Sequence, residues 1–317
     1  MPIPAEARFW IARALGLWRR GWASLRTRGV TASWRRLGLH FKRGALPAQA
    51  VYSPAATPFA PFSLATSEAP RASLVIPVHG AFAHTLACLR ALAAHPPRAA
   101  FEVIVVDDAS PDDTLAKLQQ INGIRVHARA RNGGFIAACN DGAALARGDH
   151  LVFLNNDTVP QPSWLDALLG TFEQHPNTGL VGAKLVYPDG RLQEAGGVVF
   201  ADGSGWNYGR HESPDDCRYA YVRDADYCSG AAIAIPRTLF ERLGGFDARY
   251  APAYYEDTDL AFAVRAAGLH VRYQPAAVVV HDEGATSGTD LAQGPKAAQV
   301  RNQSVFAQKW QDALAAQ

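Results

Sequence analysis

The chain has 317 residues, 48% of them hydrophobic and 19% charged, with a formal net charge of +2. That is a globular mix with ample core material, and it excludes a binder of polyanions by bulk charge. The four cysteines, Cys88, Cys139, Cys217 and Cys228, show no C-x-x-C spacing, which argues against a zinc site or disulfide scaffold and fits a reducing, cytoplasmic setting.

No apolar run approaches a membrane span, and arginines interrupt the N-terminus where a signal peptide needs an apolar core. Residues 1–43 carry ten basic side chains against the single acid Glu6, a local charge of +9 that leaves −7 for the rest. Trp10, Trp18, Trp22 and Trp34 lie among the arginines, and Phe9, Ile11, Leu15 and Trp18 recur at roughly helical spacing. Residues 1–46 are therefore predicted to form a basic amphipathic helical arm. Residues 47–71, with five prolines, read as an irregular linker.

From Ala72 the pattern alternates. "SLVIPV" is a short apolar strand, and Phe82 to Ala94 reads as a helix. "FEVIVVDD" is a strand buried on both faces. "SPDDTLAKLQQ" reads as a helix capped by Ser110 with Pro111 at its first position. "IRVHAR" is a third strand, "GGFIAACNDGAALARG" a helix entered through a Gly-Gly turn, and "HLVFLNND" a fourth strand. Strands alternating with helices predict a parallel sheet with right-handed crossovers. Two strands end in acids, Asp107–Asp108 and Asp157, and in such a sheet those ends share one edge and one crevice.

The second half is mixed. Pro188-Asp189-Gly190 predicts a hairpin, and "YCSGAAIAIPRTLFERLGGFD" a strand, a helix starting at Pro236 and a Gly-Gly stop. "YYEDTDLAFAVRAAG" opens a helix on an acidic cluster. "HVRYQPAAVVVHDEG" reads as two short strands, the second ending at His281, and a C-terminal helix follows Gly294.

In this order, "VIPVHG", "VVDDASPDDT", "RNGGFIAACNDGAALARGDHLVFLNNDT", "SGAAIAIPR", "GGFD" and "YYEDTDLAFAVRAAG" resemble the family 2 inverting glycosyltransferases, in the rhamnosyltransferase-like subset that builds bacterial surface polysaccharides. Any one motif is weak; six in order over residues 72–312 are specific. The resemblance implies an α/β GT-A fold over residues 72–317, with a mostly parallel nucleotide-binding half (72–160) and a mixed acceptor half (161–317). It also implies a nucleotide-sugar donor, a glycan or lipid-linked acceptor, and Mg²⁺ or Mn²⁺. Three features depart from the family pattern. Asn155 replaces the first acid of the usual Asp-x-Asp, His79 stands where an aromatic is more usual, and the Gln-x-x-Arg-Trp signature of processive members is missing. One sugar, or a few, per encounter is therefore expected.

Glycosyl transfer needs charge taken up on the departing diphosphate, and one or two carboxylates plus phosphate oxygens suffice to hold Mg²⁺. Asp157 fits that role, and by resemblance His281 is a further metal ligand. The base that deprotonates the acceptor hydroxyl is Asp257 by resemblance, with Glu256 and Asp259 as possible support. A local reason agrees, because adjacent acids repel and raise a pKa. Otherwise the acids of residues 256–259 simply serve the helix N-terminus. Asp108 resembles the acid that accepts N3–H of a pyrimidine, with Asp107 as its alternate. Main chain at Pro77 and His79 would hold the base, and Asn132, Gly133, Asn155 and Asn156 the ribose or phosphates. The subset resembled favours dTDP-rhamnose, with UDP-sugars next.

A sugar nucleotidyltransferase would carry a basic, Gly-rich loop after its first strand, and "PVHGAFAHT" has neither Lys nor Arg. An inactive membrane scaffold of the same fold would not need Asp157 and Asp257. The arm's tryptophans and leucines suit an interface better than nucleic acid: either a membrane surface, at the inner face of the cytoplasmic membrane, or packing on the acidic catalytic domain or a second subunit.

Overall fold

The computed structural model describes residues 50–283 and 298–316; the predicted helical arm lies outside them. In chain order the first half runs β1 (Ala72–Val78), α1 (Phe82–Ala94), β2 (Phe101–Asp107), α2 (Thr114–Leu118), β3 (Arg125–Ala128), α3 (Gly134–Ala144), β4 (His150–Leu154) and β5 (Thr158–Pro160). It continues with α4 (Trp164–Gln174), β6 (Thr178–Val186), β7 (Leu192–Glu194), β8 (Gly197–Val199), β9 (Gly205–Asn207), β10 (Arg223–Asp224), β11 (Ala232–Pro236) and α5 (Arg237–Leu243). The chain closes with α6 (Glu256–Ala266), β12 (His270–His281), α7 (Ala298–Lys309) and α8 (Gln311–Ala315).

One sheet runs β10-β12-β6-β11-β4-β1-β2-β3, with β5 added on β12 and β7 on β6. β3, β2, β1 and β4 are parallel neighbours. β11 then joins antiparallel to both β4 and β6, so the sheet continues unbroken into the mixed half. Both faces are covered, which is why β1 and β2 read as continuous apolar runs. On β2, Val103 and Val105 enter the core under α1 and α4, while Ile104 and Val106 enter the opposite core under α3 and α6.

Three local readings need correction. The helix predicted from Ser110 starts at Thr114, because Ser110 Oγ accepts the Gly80 amide at 2.7 Å and Asp112 Oδ1 takes the Thr114 amide at 3.0 Å. The two strands predicted near the C-terminus are one, β12, with a register shift between Gln274 and Val278. Pro275 lies in that shift and has no N–H to give the ladder, so it reads as a break in sequence and a bulge in space. The Pro-rich stretch also packs closely on the domain. Leu64 is buried, Phe59 meets Phe82 edge-on at 5.2 Å, and Arg90 donates to the carbonyls of Thr57 and Pro58, each at 2.9 Å. Tyr52 and Gln161 exchange hydrogen bonds at 2.6 and 3.1 Å.

Candidate active site

The carboxyl ends of β1, β2 and β4 meet at one sheet edge, the position expected for ligands in open α/β sheets. β5 returns from the β4 end to pair with β12, opposing Thr158 to His281. That pairing sets Asp157 Oδ1 3.4 Å from His281 Nε2, both residues being buried. Gln193 of β7 orients the imidazole. Its Nε2 donates to the His281 carbonyl at 3.3 Å, which turns Oε1 toward Nδ1 at 2.8 Å. Nδ1 therefore donates to Gln193, and Nε2 is the ring nitrogen that faces Asp157.

Among the described residues no three His, Cys, Asp or Glu side chains gather into a metal cluster. The fit to Mg²⁺ or Mn²⁺ rests on two protein groups, a carboxylate and an imidazole held in the correct tautomer, leaving room for phosphate oxygens and water. Asn155 adds a solvent-shielded Oδ1 with no hydrogen-bond partner among the described residues. Asn156 points elsewhere, donating to Thr85 Oγ1 of α1 at 3.0 Å, so its amide supports the strand end from behind.

On the nucleotide side, Asp108 is buried and already occupied. Its carboxylate accepts the amides of Gly133 at 3.0 Å and Gly134 at 2.8 Å and pairs with Arg129. The Gly133 amide, expected to face a diphosphate, therefore serves Asp108. Gly134 must be glycine: its φ is +83°, and a Cβ would sit 2.9 Å from the Pro252 carbonyl oxygen. His79 is exposed at the mouth, its Nδ1 2.8 Å from the Asp108 carbonyl and its Nε2 3.1 Å from Asn132 Nδ2. Pro77 sits inside β1 opposite Val106. Asp107 Oδ2 accepts the Ser110 amide at 3.3 Å, while its Oδ1 is buried with no hydrogen-bond partner among the described residues.

The start of α6 reaches the same sheet edge through Gly230, whose neighbour Ala231 bonds Asn155. Tyr254 and Tyr255 precede it at φ +75° and +73°, a conformation that is strained for bulky residues. Asn302 of α7, fully buried, clamps that bend by donating to the carbonyls of Tyr250, Ala253 and Tyr254 at 2.6, 3.0 and 2.9 Å. The bend delivers Asp257, whose Oδ2 accepts the Gly230 amide at 2.9 Å and Oδ1 the Thr258 amide at 2.6 Å. Burial raises the Asp257 carboxyl above its ordinary value. Burial, and then the charge of Asp257, hold Glu256 well above the carboxylate range. Asp259 is taken up structurally by Tyr250 Oη at 2.9 Å, Lys309 Nζ at 2.7 Å and Trp310 Nε1 at 2.7 Å.

Sequence reasoning missed Arg129, Gln193, Glu194 and Asn302. The available signal for Gln193 and Glu194 was two polar residues inside a short apolar hairpin strand.

Residues 73–243 match the family described as Glycosyl transferase family 2. An O-antigen biosynthesis protein of Myxococcus xanthus is 35% identical over 201 residues, covering 60% of this chain and 16% of that protein. An N-acetylglucosaminyl-diphospho-decaprenol L-rhamnosyltransferase of Mycobacterium tuberculosis is 27% identical over 217 residues, covering 60% and 69% of the two chains. This chain spans 28% of an uncharacterized protein of Sinorhizobium fredii to which it is 31% identical, so two of these relatives are far longer than the aligned region. The crystal structure of GalNAc-T7 with UDP, GalNAc and Mn²⁺ shares the GT-A fold, at TM-score 0.61 and 18% identity, over 78% of this chain and 49% of that one.

Proposed function

The chain belongs to glycosyl transferase family 2, and from that premise we propose that it moves a sugar from a nucleotide-diphosphate donor to a glycan or lipid-linked acceptor in surface-polysaccharide synthesis, with inversion at the anomeric carbon. The observation that carries this reading is that two groups come to the carboxyl end of β4. Asp157 and the oriented His281 lie just past that end, and Asp257 is held by the amide of Gly230, whose neighbour Ala231 bonds Asn155 there.

In this reading Asp257 takes the proton of the acceptor hydroxyl. The freed oxygen attacks the anomeric carbon from the face opposite the nucleotide, and the bond to the diphosphate breaks with its electron pair leaving on the phosphate oxygen. Raised basicity suits Asp257 to that task. Asp157 and His281 would hold Mg²⁺ or Mn²⁺, which supplies a Lewis acid for the charge on the leaving group. Asp108 reads the pyrimidine, exchanging part of its contact with Arg129 for the base N3–H. A pyrimidine donor, dTDP-rhamnose or a UDP-sugar, is further supported by the rhamnosyltransferase name of one relative and the UDP bound to GalNAc-T7. The +9 charge and four tryptophans of the N-terminal residues support delivery to a lipid-linked acceptor at a membrane surface.

The test is a panel of dTDP-, UDP- and GDP-sugars scored for nucleotide release with and without Mn²⁺. Metal-dependent release from one pyrimidine donor, abolished in Asp157→Ala, is expected. Release that ignores metal, or that survives Asp157→Ala, would remove the cation and its ligands from the reading.

A further inference from the structure

This inference rests on the glycosyl-transfer reading with Asp257 as base, and it concerns Glu194, a buried carboxyl that the reading leaves without a task. Glu194 is 0% exposed. Its Oε1 accepts the Ser229 amide at 2.8 Å, and its Oε2 is buried with no hydrogen-bond partner among the described residues. The next amide in the chain, Gly230, is the one that holds Asp257 Oδ2 at 2.9 Å. The carbonyl after that, of Ala231, accepts the Asn155 amide at 2.9 Å. Three consecutive residues thus tie β7, the base and the metal-side strand end together. Side chains alternate along a strand. Gln193 turns to His281 on one side of β7, and Glu194 turns to the Ser229 amide on the other.

A buried carboxyl with an orphaned oxygen costs more than an apolar side chain of equal size. Strand packing alone therefore does not account for a glutamate here. We propose that Glu194 is the positioning residue for the catalytic base: it fixes Ser229 by its amide, and through that residue the next amide, of Gly230, which aims Asp257 at the acceptor. The three-residue strand β7 would then set both halves of the chemistry, the metal ligand through Gln193 and the base through Glu194.

The electrostatics support this placement. Burial pushes Glu194 up to about 8; the Ser229 amide opposes the rise and Asp257 adds to it. The other groups facing it are Arg210, Glu283, Tyr227, Cys228 and Tyr273. At neutral pH Glu194 holds its proton, so it adds no second charge beside Asp257. Once that proton leaves, an extra negative charge stands next to a site that must bind an anionic donor.

The experiment uses the full chain, with the donor selected from the nucleotide-sugar panel. Glu194→Ala is expected to lower kcat by about 10–100-fold, the usual loss when a group that orients a reacting side chain is removed, with donor KM changed about twofold at most. Glu194→Gln keeps an acceptor for the Ser229 amide and should recover most of that loss. Glu194→Asp keeps the carboxyl but falls short of Ser229, and should behave like Ala. In the wild type the donor KM should climb as pH passes about 8, and in Glu194→Gln that climb should be absent. Near-normal kcat in both Ala and Asp variants, or a wild-type pH profile in Gln, overturns the inference. Normal turnover in Asp257→Asn would instead overturn the base assignment beneath it, and the inference falls with it.

Discussion

Glu194 also leaves a signature in stability. Its folded pKa lies above the ordinary carboxylate value, near 8 against 4.5. Between those values the unfolded chain has released the proton and the folded chain retains it, so this residue's contribution to stability falls as pH rises from about 4.5 to about 8. Glu194→Gln cannot titrate. Its stability relative to wild type should grow across that window by up to roughly 1.4 kcal/mol per pH unit. Urea unfolding at pH 5 and pH 8 checks this, and parallel behaviour of the two proteins would mean that Glu194 is charged in the fold. At the base itself, Asp257→Asn should lower turnover about 100-fold or more while nucleotide affinity holds. Gln193→Ala frees the His281 ring and should weaken Mn²⁺ affinity about 10–100-fold, read by titrating activity with metal. The sequence made Asp157 and Asp257 legible because each ends or opens an element, where a polar cluster stands out from an apolar run. Gln193 and Glu194 were not legible, because their partners His281 and Ser229 are remote in sequence and the hairpin alone accounts for their spacing. Asp259 shows the opposite error: the acidic cluster looks uniform in sequence, and only the fold brings Lys309 and Trp310 to one of its members.

Among the elements, α7 does more than close the chain. Asn302 holds the strained Tyr254–Tyr255 bend, and Asp259 anchors Lys309 and Trp310 at the far end of the same helix. Asn302→Ala should cost about 1–3 kcal/mol, since three carbonyls lose a donor. It should also lower kcat, because the bend carries the base; thermal melts and kinetics on one preparation separate the two effects. Asp259→Asn should cost stability with turnover per folded molecule retained. The Pro-rich stretch behaves as a packed strap. Leu64→Ala should cost about 2–5 kcal/mol, and a chain begun at Ala72 should melt well below one begun at Ala48. Equal melting of the two would mean that the strap is only draped. Strand and helix order was readable wherever the period of two or 3.6 was clean. It failed at Pro275, where a bulge mimics a break, and at residues 50–71, where prolines mark irregular backbone but say nothing of what it packs against.

For the whole molecule, no helix among the described residues is long and apolar enough to cross a membrane. The reading above assigns membrane attachment to the basic N-terminal residues. The full chain is expected to co-sediment with anionic vesicles at low salt and to be released as ionic strength rises, since basic residues contribute about 1 kcal/mol each near such a surface. A chain begun at Ala48 should stay in the supernatant yet still release nucleotide; pelleting of the shorter chain would place the lipid contact on the catalytic half. The sheet that joins the two halves bears on how relatives could exchange specificity. β4 is bonded to β1 on one side and to β11 on the other, and β11 in turn carries β6. Among the described residues no seam of unpaired backbone separates the parallel part of the sheet from the mixed part, so the halves are not interchangeable cassettes. A chimera spliced between β5 and α4 would leave the hydrogen-bond ladder of β4 facing a foreign β11, and the Ala231–Asn155 main-chain bond that registers the two would have to form across the graft. New acceptor specificity in this lineage should therefore arise by altering loops over an inherited sheet, and functional grafts should be recoverable only when the residues from Asn155 to Ala231 travel together.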